Sequence, residues 1–244
     1  METSKFIEKV KTRGYWLLIL EPTERINNKF ENYHPRDRYD ILKTTNVQYR
    51  GWPTPYFPPN SPEDGNFLKI SEDITGGVDW EHYKEIFTLF SSGQFLLLSG
   101  VPEDWVDESE RLKGSELGKY KPGEILSFVS TIYYITEMFV FIRNLINSNL
   151  YKETPSFMLK LSLGNTNDRK LKAFGNRIDF FYEYKSSSKK IKIFDGPIKK
   201  EYLSENMETI ARDCIINLFK YFGTYEPSYN LIETEIKNLL ERKV

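Results

Sequence analysis

A long apolar segment between Gly123 and Leu150 constrains the fold of this 244-residue chain more than any other feature. Its apolar residues recur at helical spacing but extend beyond a single stripe, which is typical of a helix covered on most sides. Five polar or charged residues interrupt the segment, too many for a membrane span: Ser127, Ser130, Thr131, Thr136 and Glu137. We therefore predict a buried central helix. Inside it Glu137 should need a partner, and Arg50 is a candidate.

Charge and cysteine content narrow the class of protein. The 34 basic and 35 acidic residues nearly balance, so the chain as a whole has no general attraction for polyanions. The single cysteine, Cys214, excludes an internal disulfide and a cysteine-based zinc cluster, which favours a reducing compartment. The amino terminus lacks the continuous apolar core of a signal peptide. We expect a cytoplasmic protein that does not enter a membrane.

The order of the predicted elements favours the α+β class, because strands and helices follow one another without strict βαβ alternation. We predict a mixed sheet lobe and an antiparallel meander, packed around the long central helix and followed by C-terminal helices. The mixed α+β lobe covers residues 1–122. Residues 123–244 contain the central helix, the basic meander and the C-terminal helices, and the two parts either form separate units or share one core.

Local patterns predict the individual elements. A short amphipathic helix opens the chain, and strands follow at 14–22, 46–52, 67–70, 77–80 and 94–99. Asp79 is placed to cap a helix from Trp80 to Leu89. The meander strands are expected at 156–163, 177–185 and 190–194. Ser204 is placed to cap an amphipathic helix that ends near Gly223, and a narrower apolar stripe covers residues 230–242.

Arg50, Trp52 and Tyr56 form the first candidate binding cluster. A guanidinium and two large aromatic side chains lie beside prolines that hold the chain extended. Such a cluster can hold a ligand or partner by stacking and cation–π contact. The structural alternative, which we weight more heavily, is that Trp52 and Tyr56 pack in the core and that Arg50 pairs with an acidic residue.

Asp179, Glu183 and Lys185 are weak candidates for catalysis. They share one face of a predicted strand, and a carboxylate followed by Glu-x-Lys is the minimal skeleton of metal-dependent nucleases. Those enzymes usually place the Asp on another strand, however. An exposed, salt-bridged sheet face is the favoured alternative.

The segment 160–200 is locally basic, with eleven basic and four acidic residues. Lysines beside aromatic residues can bind single-stranded nucleic acid. The candidate contacts are Arg169, Lys170, Lys172, Lys185, Lys189, Lys190 and Lys192. The alternative is a solvated lysine-rich outer face over an apolar inner face formed by Phe180, Tyr182 and Tyr184.

The sequence shows no pattern typical of a metal, cofactor or nucleotide site. His34 and His82 are the only histidines, and they form no metal-binding pattern. Glycine motifs that cradle phosphates are absent. We therefore expect no metal site, no cofactor and no bound nucleotide.

Several short motifs resemble an uncharacterised prokaryotic domain that often accompanies Schlafen-type, AlbA-like nucleic-acid-binding modules. The matching residues are Arg13-Gly14-Tyr15-Trp16 with Pro22, Arg50-Gly51-Trp52-Pro53-x-Pro55, Trp80 with Ser92-Gly93-Gln94-Phe95, and Ile132-Tyr133 with Thr136-Glu137-Met138-Phe139-x-Phe141. The resemblance as a whole would cover about residues 13–222. This chain departs from the pattern at Tyr56, where a histidine is more usual, and the Schlafen-type module itself is missing. The resemblance implies an accessory domain in regulation or prokaryotic defence.

These observations predict a non-enzymatic accessory or adaptor protein that binds a protein partner in a nucleic-acid-related system. The first alternative is direct nucleic-acid binding through residues 160–200. The second is a metal-dependent nuclease built on Asp179, Glu183 and Lys185.

Overall fold

The computed structural model describes residues 2–24, 29–59, 65–174, 180, 182–223 and 227–242. The fold is α+β, as predicted. The helices are α1 (Thr3–Lys11), α2 (Pro35–Lys43), α3 (Phe128–Asn147), α4 (Lys200–Phe219) and α5 (Tyr229–Leu240). The strands are β1 (Tyr15–Pro22), β2 (Asn66–Ile70), β3 (Ile74–Trp80), β4 (Tyr83–Leu89), β5 (Phe95–Gly100), β6 (Ile125–Ser127), β7 (Ser156–Gly164), β8 (Lys170–Lys172) and β9 (Lys190–Lys199).

Seven of these strands form one antiparallel sheet with the order β2-β3-β4-β5-β1-β7-β9. β1 lies between β5 and β7, so that Tyr15 is opposite Gly100 on one side and Gly164 on the other. Strands from before and after residue 122 therefore belong to the same sheet. β6 and β8 form a separate parallel pair.

Helix α3 is the buried central helix that the apolar pattern predicts. It begins after Ser127, whose hydroxyl accepts a hydrogen bond from the Ser130 amide. Fifteen of its 20 residues are buried, because α4 and α5 pack against it in the same core that the sheet helps to form. Among the described helices, none has both the length and the apolar character that crossing a bilayer requires.

The opposite face of the sheet is covered in part by α1. Phe6 and Val10 of α1 pack with Ile86 of β4 and Leu98 of β5 in a second, smaller apolar cluster. Both faces of β4 and β5 are therefore buried in this region, which positions the candidate site described below.

The predicted helix from Trp80 to Leu89 is wrong, because this segment ends β3 and forms β4. In β4, Ile86 faces the cluster under α1 and Phe87 faces the main core, so consecutive residues are buried. A strand covered on both faces loses the alternation of apolar and polar residues that usually identifies it. The apolar residues of this segment consequently also fit the spacing expected of a helix.

Two other predicted strands are also wrong in part. The segment 46–52 forms only an isolated bridge between Val47 and Thr54. The three-stranded meander is replaced by direct pairing of β7 with β9. Four residues of its predicted middle strand, Arg177, Ile178, Asp179 and Phe181, lie outside the described residues, and Lys185 forms only an isolated bridge with Lys170.

The C-terminal helices match their apolar patterns. α4 buries its predicted face on α3 and β9, and α5 docks on α3 and α4. Ser204 does not cap α4, because the helix begins at Lys200 and the Ser204 hydroxyl donates to the Lys200 carbonyl oxygen, 2.9 Å away. Asn206 has non-helical backbone angles and marks a kink.

Candidate functional site

A cavity of about 300 Å³ lies where β4 and β5 meet the start of α3. Segment 102–117 covers one side of it with Pro102, Glu103, Val106, Leu112 and Leu117. The remaining lining residues are Arg50, Trp52, Thr54, His82, Tyr83, Lys84, Glu85, Ser99, Gly100, Ser130 and Tyr134. Two members of the predicted Arg50, Trp52 and Tyr56 cluster therefore line a cavity.

Stacked aromatic rings form one wall of this cavity. The rings of Trp52 and Tyr83 are stacked with their centroids 3.9 Å apart and their planes 7° apart. Tyr56 and Trp80 are stacked with Trp52 at 5.0 and 5.7 Å, and Trp80 is 45% exposed. Trp52 and Tyr56 are half-buried and lie outside the core clusters, so they do not pack in the core as the structural alternative predicts, and Trp52 contacts the cavity.

The predicted partner of Glu137 is confirmed. The Arg50 guanidinium donates two hydrogen bonds to the Glu137 carboxylate, from Nε at 3.1 Å and from Nη2 at 2.5 Å. Glu137 is fully buried, whereas the Arg50 side chain is 31% exposed. This bidentate geometry is the strong form of a charge-assisted hydrogen bond, and it neutralises the carboxylate inside α3.

Two further carboxyl groups, those of Glu85 and Glu103, line the cavity and are buried. Glu85 accepts a hydrogen bond from the Tyr56 amide at 2.5 Å, and burial raises the pKa of its carboxyl to about 8. Glu103 accepts a hydrogen bond from the Ser127 amide at 3.1 Å, and burial raises its pKa as well. The charged forms of both carboxyls are therefore poorly stabilised by the protein alone.

The cations that line the cavity are already bound to other carboxylates. Arg50 is paired with Glu137, and the Lys84 amine lies 2.8 Å from Asp79 and 3.0 Å from Glu108. Burial lowers the pKa of His82, so the neutral imidazole is favoured, and its Nδ1 has no hydrogen-bond partner within the described part of the chain. No cation in the cavity lining is therefore paired with Glu85 or Glu103.

Arg169 is not available to nucleic acid, contrary to the sequence prediction. Its side chain is completely buried, and it donates to Asp104 Oδ1 at 2.8 Å and to the Ile125 carbonyl oxygen at 2.8 Å. Asp104 also accepts hydrogen bonds from the amides of Gly14 and Gly123. Arg169 is therefore part of a buried polar cluster beside the cavity segment.

The proposed catalytic residue Glu183 lies between two lysines on the surface. Lys170 Nζ is 2.8 Å and Lys185 Nζ is 2.9 Å from its carboxylate, and these hydrogen bonds lower its pKa to about 2. Asp179 lies outside the described residues. In the described ranges, no group of three or more His, Cys, Asp or Glu side chains could hold a metal ion. The nuclease hypothesis stays a prediction.

The remaining basic candidates lie on the surface. Lys189, Lys190 and Lys192 are exposed, and Lys172 is half-buried. Lys192 Nζ lies 3.2 Å from Asp195.

Sequence patterns did not identify Glu85, Glu103, Tyr83 or Tyr134 as site residues. Glu85 offered one signal, since it is a carboxylate followed by the apolar pair Ile86 and Phe87. This pattern does not distinguish a buried glutamate in a strand from an exposed one in a helix, because a helix over the same segment would expose Glu85. Glu103 and Tyr134 join the site only through tertiary contacts between distant segments.

Comparison with known proteins gives no match to a protein-family model, to a curated protein or to a solved structure. The resemblance to the domain that accompanies Schlafen-type modules stays a prediction.

Proposed function

We propose that this protein is an accessory binding protein whose cavity holds a cationic group with N–H donors. The observation that carries the proposal is the pair of buried carboxyls, Glu85 and Glu103, beside an aromatic wall and without a cation of their own in the cavity lining. A ligand cation would provide the missing positive charge and the missing hydrogen-bond donors.

Two kinds of interaction favour such a ligand over a neutral one. Charge-assisted hydrogen bonds to a carboxylate are roughly twice as strong as neutral hydrogen bonds. A cation over the face of Trp or Tyr gains about 0.5–2 kcal/mol, with the larger values where water is excluded. Trp52, Tyr83 and Tyr134 supply rings in the lining. A planar cation such as an amidinium or guanidinium fits both the carboxylates and the flat rings.

The cationic group can belong to a small molecule or to an arginine side chain of a protein partner. Both sources present the same chemistry to Glu85, Glu103 and Trp52. The second source agrees with the prediction of an adaptor protein that binds a protein partner.

Isothermal titration calorimetry with matched probes tests the proposal. Benzamidine and benzamide have nearly the same shape but differ in charge, and short peptides containing arginine or citrulline form a second matched pair. We expect the cationic member of at least one pair to bind more than tenfold more tightly than its neutral counterpart. Benzamidine binding indicates a small-molecule site, whereas binding of the arginine peptide alone indicates a protein partner.

Substitutions of residues that line the cavity test whether a bound probe occupies the cavity. We expect Glu103→Gln and Trp52→Leu each to weaken binding about tenfold or more, through loss of a charge-assisted hydrogen bond or of a cation–π contact. Glu183→Gln, on the surface between Lys170 and Lys185, is the matched control and should leave the affinity unchanged. Equal affinity for cationic and neutral probes, or no binding of any probe, would overturn the proposal.

A further inference from the structure

A second surface, separate from the cavity, lies at the β9 edge of the sheet. β9 is the last strand in the sheet order, and Lys190, Lys192 and Lys199 are exposed along it. Lys160 of the neighbouring β7 is exposed as well and lies opposite Asp195. Because alternate residues of a strand point to the same side, Lys190 and Lys192 share one face at a spacing of about 6.6 Å.

The carboxyl end of α4 extends this surface into a cleft. Lys192, Asn217, Lys220 and Tyr221 line an open cavity of about 400 Å³, and all four are exposed. The turn that carries Lys189 is attached to this end of α4, because the Ser187 amide donates to the Tyr221 carbonyl oxygen at 3.3 Å. Tyr221, which lines the same cleft as Lys192 and Lys220, is 39% exposed.

Little negative charge opposes these lysines. Lys192 pairs with Asp195 at 3.2 Å, and both side chains are exposed, so solvent screens that pair. Within the described residues, Lys189, Lys190 and Lys220 form no ion pair. Lys170 and Lys185, in contrast, share Glu183 and are not part of this surface.

We propose that Lys189, Lys190, Lys192, Lys220 and Tyr221 form a binding surface for single-stranded nucleic acid. The lysines contact phosphates, and the Tyr221 ring stacks on a base. Stacking requires a base that is not already stacked in a duplex, which favours a single strand over a double helix. The proposal does not depend on what the cavity binds, since the two sites share no lining residue.

Fluorescence anisotropy with a labelled oligothymidylate tests this inference, and a labelled duplex serves as the competing polyanion. We expect binding of the single strand at low salt, with log K falling by about 0.7 per phosphate contact for each tenfold rise in salt. The triple reversal Lys189→Glu, Lys190→Glu and Lys192→Glu should weaken binding at least tenfold. Tyr221→Ala should weaken it roughly fivefold or more.

A control with the same change in net charge separates a local surface from general attraction. Lys69→Glu, Lys119→Glu and Lys152→Glu alter three exposed lysines elsewhere on the molecule. Circular dichroism checks that both triple variants are folded. No binding at low salt, equal effects of the two triple reversals, or tighter binding of the duplex would each overturn the proposal.

Discussion

Burial makes the chemistry of Glu85 differ from that of a surface glutamate. β4 carries it into a region that is covered on both faces of the sheet, and only 6% of the residue is exposed. Hydrogen bonds from the Tyr56 amide and from Ser99 partly stabilise the carboxylate, but desolvation has the larger effect and raises the pKa of this carboxyl to about 8. The protonated form therefore dominates at neutral pH.

This pKa makes folding stability depend on pH. The folded state binds the Glu85 proton more tightly than the unfolded state, whose glutamate has the ordinary pKa of 4.5. The free energy of unfolding should therefore fall as pH rises from about 5 to 8, by up to about 1.4 kcal/mol per pH unit. The glutamine side chain of the Glu85→Gln variant cannot ionise. The free energy of unfolding of this variant, measured by urea unfolding, should therefore depend less on pH across this range than that of the wild type.

Glu183→Gln is the control for this measurement. The flanking lysines lower the pKa of Glu183 to about 2, so this carboxylate is ionised throughout the range from pH 5 to 8. Its replacement should not alter the slope. Parallel curves for the wild type and Glu85→Gln would show that Glu85 ionises normally.

At the scale of elements, the β3–β4 hairpin supports the cavity because it carries Tyr83, Lys84 and Glu85. The two strands approach closely at Gly77, which pairs with Ile86. A Cβ atom at Gly77 would collide with the Glu85 carbonyl oxygen and would lie 2.8 Å from the Phe67 ring and 3.0 Å from Ile86 Cα. Backbone atoms cannot move aside as a flexible side chain can. Glycine is therefore required at this position for packing.

Gly77→Ala should destabilise the protein by about 1–3 kcal/mol, the typical cost of overpacking a core. Urea unfolding measures the change. Gly114→Ala is the matched control, because nothing lies within 4 Å of its added Cβ. That variant should be neutral or slightly stabilising, since alanine restricts the unfolded chain. Equal free energies for the two variants would contradict the close approach of β3 and β4.

At the scale of the whole molecule, Asp104 joins three distant parts of the chain. It accepts hydrogen bonds from the Gly14 amide at 2.6 Å, the Gly123 amide at 2.8 Å and the Arg169 guanidinium at 2.8 Å. These partners lie at the start of β1, before β6 and beside β8. The cluster therefore anchors the segment that covers the cavity to the sheet and to the short parallel pair.

Arg169→Met should destabilise the protein by about 3–5 kcal/mol, because it leaves the Asp104 carboxylate buried without its ion-pair partner. The double variant Asp104→Leu/Arg169→Met should recover part of that loss, since neither charge then remains.

Arg212→Met is the control. Arg212 bridges Asp213 and Glu233 near the surface, where such pairs contribute about 1 kcal/mol or less. Similar losses for Arg169→Met and Arg212→Met in urea unfolding would refute the central role of Asp104.

Several features of the fold could be predicted because they depend on local pattern or on a strict energetic requirement. The wide apolar surface of 123–150 indicated a covered helix, and the periodicity of the C-terminal segments indicated helices that dock on the body. Glu137 needed a partner because an unpaired carboxylate inside an apolar helix is costly, and Arg50 does bind it. β4 was predicted wrongly because burial on both faces removes the alternation that identifies a strand.

Other features were decided only by the tertiary structure. The sequence by itself determined the α+β class, the buried central helix and which carboxylate inside that helix required a cation. It did not determine that Arg169 would be buried, because that depends on Asp104, 65 residues away in the chain. It also did not determine the cavity, since Trp52, Glu85, Glu103 and Tyr134 belong to separate segments. Their convergence follows from strand pairing and helix packing, and the raised pKa of Glu85 follows from the desolvation that this packing produces.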